Sequence, residues 1–164
     1  MGADAADLVL ARKWTFKAGK RQVVFFKHRR EHSSHVLMKA FLWALYLPDY
    51  PELFVEVAVN DRYKPDVIAC REDGHPQFWG EAGNVSVEKI RSLARRYRDT
   101  HFAIAKWQSN IAPLTEIVRS AVTGLRRSAP FDVLRFPMDS AERFIDQNGH
   151  VHLTHDDLEW IRLW

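Results

Sequence analysis

The chain has 164 residues, of which 46% are apolar, 12% aromatic and 27% charged, with a formal net charge of +3. That is an ordinary globular composition, long enough for one domain with a sizeable core, and a charge this small does not by itself point to nucleic acid. The single cysteine, Cys70, excludes an internal disulfide and cysteine-rich zinc sites.

The opening Met-Gly-Ala-Asp-Ala-Ala-Asp carries acids where a secretory signal carries lysines, and the longest apolar run, Phe41 to Leu47, is far short of a membrane span. A cytoplasmic protein with no membrane partner is expected. Leu8 to Lys17 and Arg21 to Lys27 alternate around Ala18-Gly19-Lys20 and predict a hairpin. Ser33-Ser34 offers an N-cap for a helix from Val36 to Leu47, apolar on almost every side and closed by Pro48 and Pro51. Such a helix must be buried. Strands are expected over 53–59, 66–72 and 76–82.

Ser86 then caps a helix running to about Arg98, with Val87, Ile90, Leu93, Ala94 and Tyr97 facing inward. His101 to Trp107 reads as a strand. The strand, helix, strand order requires a right-handed crossover and parallel pairing with 76–82. Pro113 opens a further helix that ends at Gly124, and Phe131 to Phe136 is another strand. Glu142 to Ile145 and His150 to Leu153 flank Asp146-Gln147-Asn148-Gly149 as a hairpin, and Asp156 to Trp164 reads as a closing helix on which Trp160 and Trp164 are neighbours. No repeat, low-complexity tract or long linker interrupts the chain, so a single α/β domain over 1–164 is expected.

The stretch Phe54 to Lys89 carries the chemistry. Three apolar strands each bear one carboxylate: Glu56, Asp66 and Glu81. Asp66 and Glu81 are equidistant from the centre of the hairpin turn Asp73-Gly74, so they oppose each other on paired strands. Glu56 and Asp66 are likewise symmetric about Asp61. Adjacent anions repel unless a cation or proton lies between them. Mg²⁺ suits this arrangement, because it takes oxygen ligands and needs only one or two protein carboxylates. The competing reading bonds the acids to backbone or to basic side chains, Glu56 to Arg62 or Lys64 among them.

This order of elements, with Pro65-Asp66 and Glu81 on neighbouring strands, resembles the PD-(D/E)xK nuclease superfamily. The fuller pattern is similar to the YaeQ family: His28-x-x-Glu31 before the buried helix, Val55-Glu56-Val57, Pro65-Asp66, then Trp79-Gly80-Glu81-Ala82-Gly83 and a basic helix from near Val87. The resemblance implies a restriction-endonuclease-like core of helix, three-stranded antiparallel meander, helix and parallel strand, with an N-terminal hairpin and a C-terminal hairpin plus helix. It also implies metal-assisted phosphodiester cleavage in DNA or RNA. Asp66 and Glu81 would hold Mg²⁺ or Mn²⁺ with the carbonyl of Ala82, and Glu56 would join the site or orient a water. The superfamily places a lysine two residues after the second acid; here that residue is Gly83. Lys89, on the following helix, is the candidate replacement. Ser34 stands where similar proteins usually carry a helical glutamate.

Arg91, Arg95, Arg96 and Arg98 join Lys89 on one basic helix and are the candidate phosphate contacts; a solvated face is the plain alternative. His32-x-x-His35 and His150-x-His152 have zinc-ligand spacing, but a helix start and an exposed hairpin are poor places for a closed site. Two functions are therefore expected in competition: a Mg²⁺-dependent nuclease, or a nuclease-fold module that holds nucleic acid or a protein partner without cleaving.

Overall fold

The computed structural model describes Asp7 and residues 12–164. Residues 8–11 of the expected first strand, and the first six residues read for a leader, lie outside that description. Two strands, β1 (Arg12–Ala18) and β2 (Arg21–Lys27), form a separate antiparallel hairpin. The helix α1 (Ser33–Tyr46) follows. Then come β3 (Phe54–Val55), β4 (Val67–Cys70), β5 (Pro76–Ala82), α2 (Val87–Arg96), β6 (His101–Trp107), α3 (Ala112–Val122) and β7 (Phe131–Phe136). A short α4 (Ser140–Phe144), a 3-10 turn (His155–Asp157) and β8 (Glu159–Leu163) complete the order. Strands β3 to β8 make one six-stranded sheet in sequence order, antiparallel except for the β5–β6 and β6–β7 pairs.

The layers follow from the apolar pattern. Helix α1 is buried on nearly every side because it lies between the β1–β2 hairpin and one face of the sheet, with Phe16, Phe25, Leu42, Val67 and Phe78 in a common core. Helices α2 and α3 cover the opposite face over Ile68, Trp79, Ile104 and Val133. Among the described residues no helix is long and apolar enough to cross a membrane.

The meander register is the one the turns dictate. Val67 pairs with Gly80 and Ile68 with Trp79, which continues to Asp66 opposite Glu81; Phe54 pairs with Ile68 and Val55 with Val67, which continues to Glu56 opposite Asp66. The strands are shorter than expected, however. β3 ends after Val55 because Glu56 turns to a left-handed φ of 55°, and β4 is broken by an irregularity between Ala69 and Cys70.

The C-terminal expectation needs correction. Glu142 to Ile145 is not a strand: Ser140–Phe144 is helical, and only the single bridge Ile145–Val151 remains of the hairpin. Asp156 to Trp164 is not a helix either. A 3-10 turn with a Thr154–Asp157 capping box leads into β8, which closes the sheet against β7. Trp160 therefore packs on His155, at 4.4 Å between rings, while Trp164 stays 67% exposed.

Strand β8 is held in place by charge. Asp132, at the start of β7, is fully buried. It accepts bonds from Tyr46 Oη (2.7 Å), His101 Nε2 (2.7 Å) and both Nε (2.8 Å) and Nη2 (3.0 Å) of Arg162 on β8. Burial opposes its charge, yet these bonds win and hold the Asp132 carboxyl at about 2. Its stabilising contribution is therefore complete above the ordinary carboxylate range and is lost as pH falls toward 2. Asp132→Ala, which leaves the buried Tyr46 hydroxyl and His101 imidazole without their acceptor, is expected to cost about 3 kcal/mol at neutral pH. Urea unfolding at pH 7 and below pH 4 checks it: the gap between parent and variant should narrow in acid.

Candidate metal and phosphodiester site

Asp66 and Glu81 lie side by side where the meander meets the carboxyl end of β5. Open α/β sheets bind ligands beyond the carboxyl ends of their strands, and this site obeys that rule. The Asp66 Oδ2 atom accepts the backbone N–H of Ala82 at 2.8 Å. Glu81 is 7% exposed, and its Oε1 accepts the indole N–H of Trp79 at 2.8 Å. Burial, with the negative charge of Asp66 second, pushes the Glu81 carboxyl up from its ordinary value; the bonds from Lys89 and Trp79 only partly offset this.

Lys89 reaches the pair. Ser86 Oγ accepts the Lys89 N–H at 3.1 Å and starts α2 immediately after the β5 turn. That places Lys89 in the first helical turn, with Nζ 2.6 Å from Glu81 Oε1 and 5.3 Å from the centre of the Tyr63 ring. Gly83 has φ 88°, which only glycine adopts without strain. A Cβ built there would stand 3.7 Å from His35 Cδ2. Position 83 is thus a turn position beside an imidazole, and the ammonium comes from the helix instead.

Glu56 is not part of this group. It sits opposite Asp66 in register, and its N–H bonds the Asp66 carbonyl at 2.9 Å, but its side chain turns to Lys39 Nζ at 2.5 Å. Neither Arg62 nor Lys64 is its partner. Lys39 is only 3% exposed and also bonds Glu31 Oε1 at 2.9 Å. Burial works against its charge, yet the two carboxylates hold its pKa above the ordinary lysine value.

The four arginines separate into two classes. Arg91 and Arg95 are exposed and make no ion pair among the described residues. Arg96 is engaged with Asp61, which also accepts Tyr97 Oη at 2.6 Å. Burial opposes the Asp61 charge, but bonds from Arg96, Tyr97 and the Tyr63 amide hold that carboxyl at about 2. Arg98 Nε reaches the carbonyl of Arg95 at 3.4 Å. Among the described residues no group of three His, Cys, Asp or Glu side chains is placed to hold a metal. His150 and His152 both lie near Asp146, at 3.8 and 3.2 Å.

Three neighbours of the site went unread in the sequence. Trp79 stands two residues before Glu81, on the same strand face, and that spacing was available. His35 bonds Glu31 at 3.0 Å and lies 3.9 Å from Asp66 Oδ2. Tyr63 lies under Lys89. For the last two, loop and helix positions gave no periodic signal.

The backbone superimposes on the crystal structure of YaeQ from Pseudomonas syringae with a TM-score of 0.62 at 13% identity, covering 84% of this chain and 78% of that one. It has the YaeQ fold. A second YaeQ structure, from Xanthomonas axonopodis pv. citri, matches with a TM-score of 0.54 at 14% identity over 76% of this chain and 72% of that one. No protein-family model and no curated protein matches the sequence.

Because Gly83 takes a left-handed φ, Gly83→Ala should destabilise the protein by about 1–2 kcal/mol. Chemical denaturation measures this. A change below a few tenths of a kcal/mol would mean that the turn relaxes freely.

Proposed function

We propose that the protein is a Mg²⁺- or Mn²⁺-dependent nuclease of the PD-(D/E)xK type that cleaves phosphodiester bonds in DNA or RNA. What carries the reading is the convergence of Asp66, Glu81 and Lys89, with the ammonium 2.6 Å from one of two opposed carboxylates. The donor set fits a small hard cation. Asp66 Oδ1 and Glu81 Oε2 carry no hydrogen bond among the described residues, and burial, followed by the neighbouring Asp66 charge, pushes the Glu81 carboxyl up. Two protein carboxylates, with no group of three His, Cys, Asp or Glu side chains placed to hold a metal among the described residues, suit Mg²⁺, which fills its shell with water and phosphate oxygens, better than zinc.

In this reading Asp66, Glu81 and the carbonyl of Ala82 hold the metal. When bound, the metal polarises the phosphate and lowers the pKa of a coordinated water. The Ala82 amide and the Trp79 indole fix the two carboxylates before any ligand arrives. Lys89 sets positive charge beside the reacting phosphate, as the superfamily lysine would from position 83. Glu56 is withdrawn to Lys39 and has no direct role. Arg91 and Arg95 supply phosphate contacts from the outer face of α2; Arg96 and Arg98 are engaged within the protein. A nucleic-acid substrate fits a cytoplasmic setting.

One observation favours a second reading, a binding module that does not cleave. The Lys89–Glu81 ion pair already neutralises one carboxylate without any metal.

Two measurements separate these readings. Millimolar Mn²⁺ should raise the melting temperature of the parent by mass action, and Asp66→Asn should abolish the response. No shift in the parent would remove the metal site. Lys89→Ala should lower turnover strongly while nucleic-acid affinity changes little, because its charge acts mainly in the transition state. Metal-dependent cleavage that survives Lys89→Ala unchanged would remove the lysine's role, and an absence of cleavage in the parent would leave the binding module.

A further inference from the structure

We infer that the cleft between the start of α1 and the carboxyl ends of β5 and β6 holds one unstacked nucleotide of a single-stranded nucleic acid. Arg30 and Lys106 would take its phosphate, and Trp107 would take its base. The inference rests on the reading of Asp66 and Glu81 as the reaction centre and names the form of substrate presented to it.

The cleft has a volume of about 590 Å³. That lies within the range of small-ligand pockets, roughly 300–1,000 Å³, and suits a nucleotide rather than a duplex. Its wall includes Ala82 and His35, the neighbours of Glu81 and Asp66, but not the two acids themselves. Ala82, whose N–H anchors Asp66, lies in its wall beside Gly83, and the missing side chain at 83 leaves that end open.

Its charge is unbalanced. Among the described residues Glu31 is the only carboxylate in the wall, and it is already bonded to Lys39 and His35. Lys106 Nζ bonds Asn84 Oδ1 at 2.6 Å and the Gly83 carbonyl at 3.4 Å, and has no acidic partner among the described residues. Arg30 is exposed and has no hydrogen bond or ion pair among the described residues. It also sits at φ 68°, a left-handed conformation uncommon for an arginine. Strain of that kind costs stability and gathers at ligand-binding positions. Two uncompensated cations at the mouth of a cleft are what an anion needs.

Trp107 separates a nucleotide from a simple anion. It packs in part against the α1-side core and also lines the cleft. A base can lie on an indole only when it has left its own stack, so an aromatic wall in a nucleotide-sized cleft selects single strands.

The test uses the full chain with a fluorescein-labelled oligo(dT) and a blunt duplex of equal length, in EDTA so that cleavage plays no part. Anisotropy is read across a salt series. The single strand should bind at least tenfold more tightly than the duplex. Arg30→Gly and Lys106→Ala should each weaken binding and reduce the salt slope by about 0.7. Arg30→Gly relieves the left-handed backbone and should melt no lower than the parent, so its loss of affinity cannot be a folding defect. Trp107→Leu should weaken binding roughly 5- to 150-fold, with Trp107→Phe intermediate. Equal affinity for the duplex, or unchanged salt slopes in Arg30→Gly and Lys106→Ala, would overturn the inference. If the parent cleaves nucleic acid with Mg²⁺ while these variants bind as the parent does, the cleft assignment falls and the nuclease reading stands. If they lose binding but no protein cleaves, the cleft assignment stands and the nuclease reading falls.

Discussion

A buried ammonium group is stable only with anions beside it, and Lys39 sits in the middle of a helix that is covered on both sides. Two carboxylates come to it. Glu31, before the helix begins, reaches forward eight residues, and Glu56 bends out of the sheet with a left-handed φ. Much of the site's form follows from that demand. Strand β3 stops after two residues because the next one must turn toward the lysine. The chain beyond Glu56 is released from the sheet and folds along α2, touching both its first turn and its last. There Asp61 engages Arg96 and Tyr97, and Tyr63 comes to rest beneath Lys89. Removing Glu56 from the strand edge also leaves a pair of acids there rather than a trio.

The sheet carries its two polar assemblies at opposite ends of its parallel strands. At their amino ends, His101 and Asp132 bind Tyr46 and Arg162 in a closed, fully paired network. At the carboxyl ends lie the buried Glu81, paired with Lys89, and Ala82, Lys106 and Trp107 in the wall of an open cleft. The first assembly ties α1, β6, β7 and β8 together. The second has carboxylate oxygens and cations with capacity left over.

What the sequence revealed depended on whether a partner was near in the chain. The opposition of Asp66 and Glu81 was readable from the Asp73-Gly74 turn, and the approach of Lys89 from the Ser86 cap, since each is a local rule acting over a few residues. The destination of Glu56 was not readable, because Lys39 lies on another element and burial decides the pairing. The C-terminus misled for a related reason. Trp160 and Leu163, the inward residues of β8, are three apart and mimic a helical stripe, although each faces a different side of the sheet. What makes the segment a strand is the edge of β7 and the charge of Asp132, about thirty residues away. Arg96 read as a surface charge for the same cause, its partner Asp61 being 35 residues distant.

The all-round burial of α1 also has a consequence during synthesis. The helix and the β1–β2 hairpin emerge from the ribosome well before β5, β6 and β7 exist to cover the helix's second face. At roughly 5–20 residues per second, that face waits for several seconds as an apolar surface carrying a lysine whose second carboxylate, Glu56, has only just been made. The nascent chain is therefore most exposed to aggregation, and most in need of a holding chaperone, in the interval between the completion of α1 and the arrival of the parallel strands.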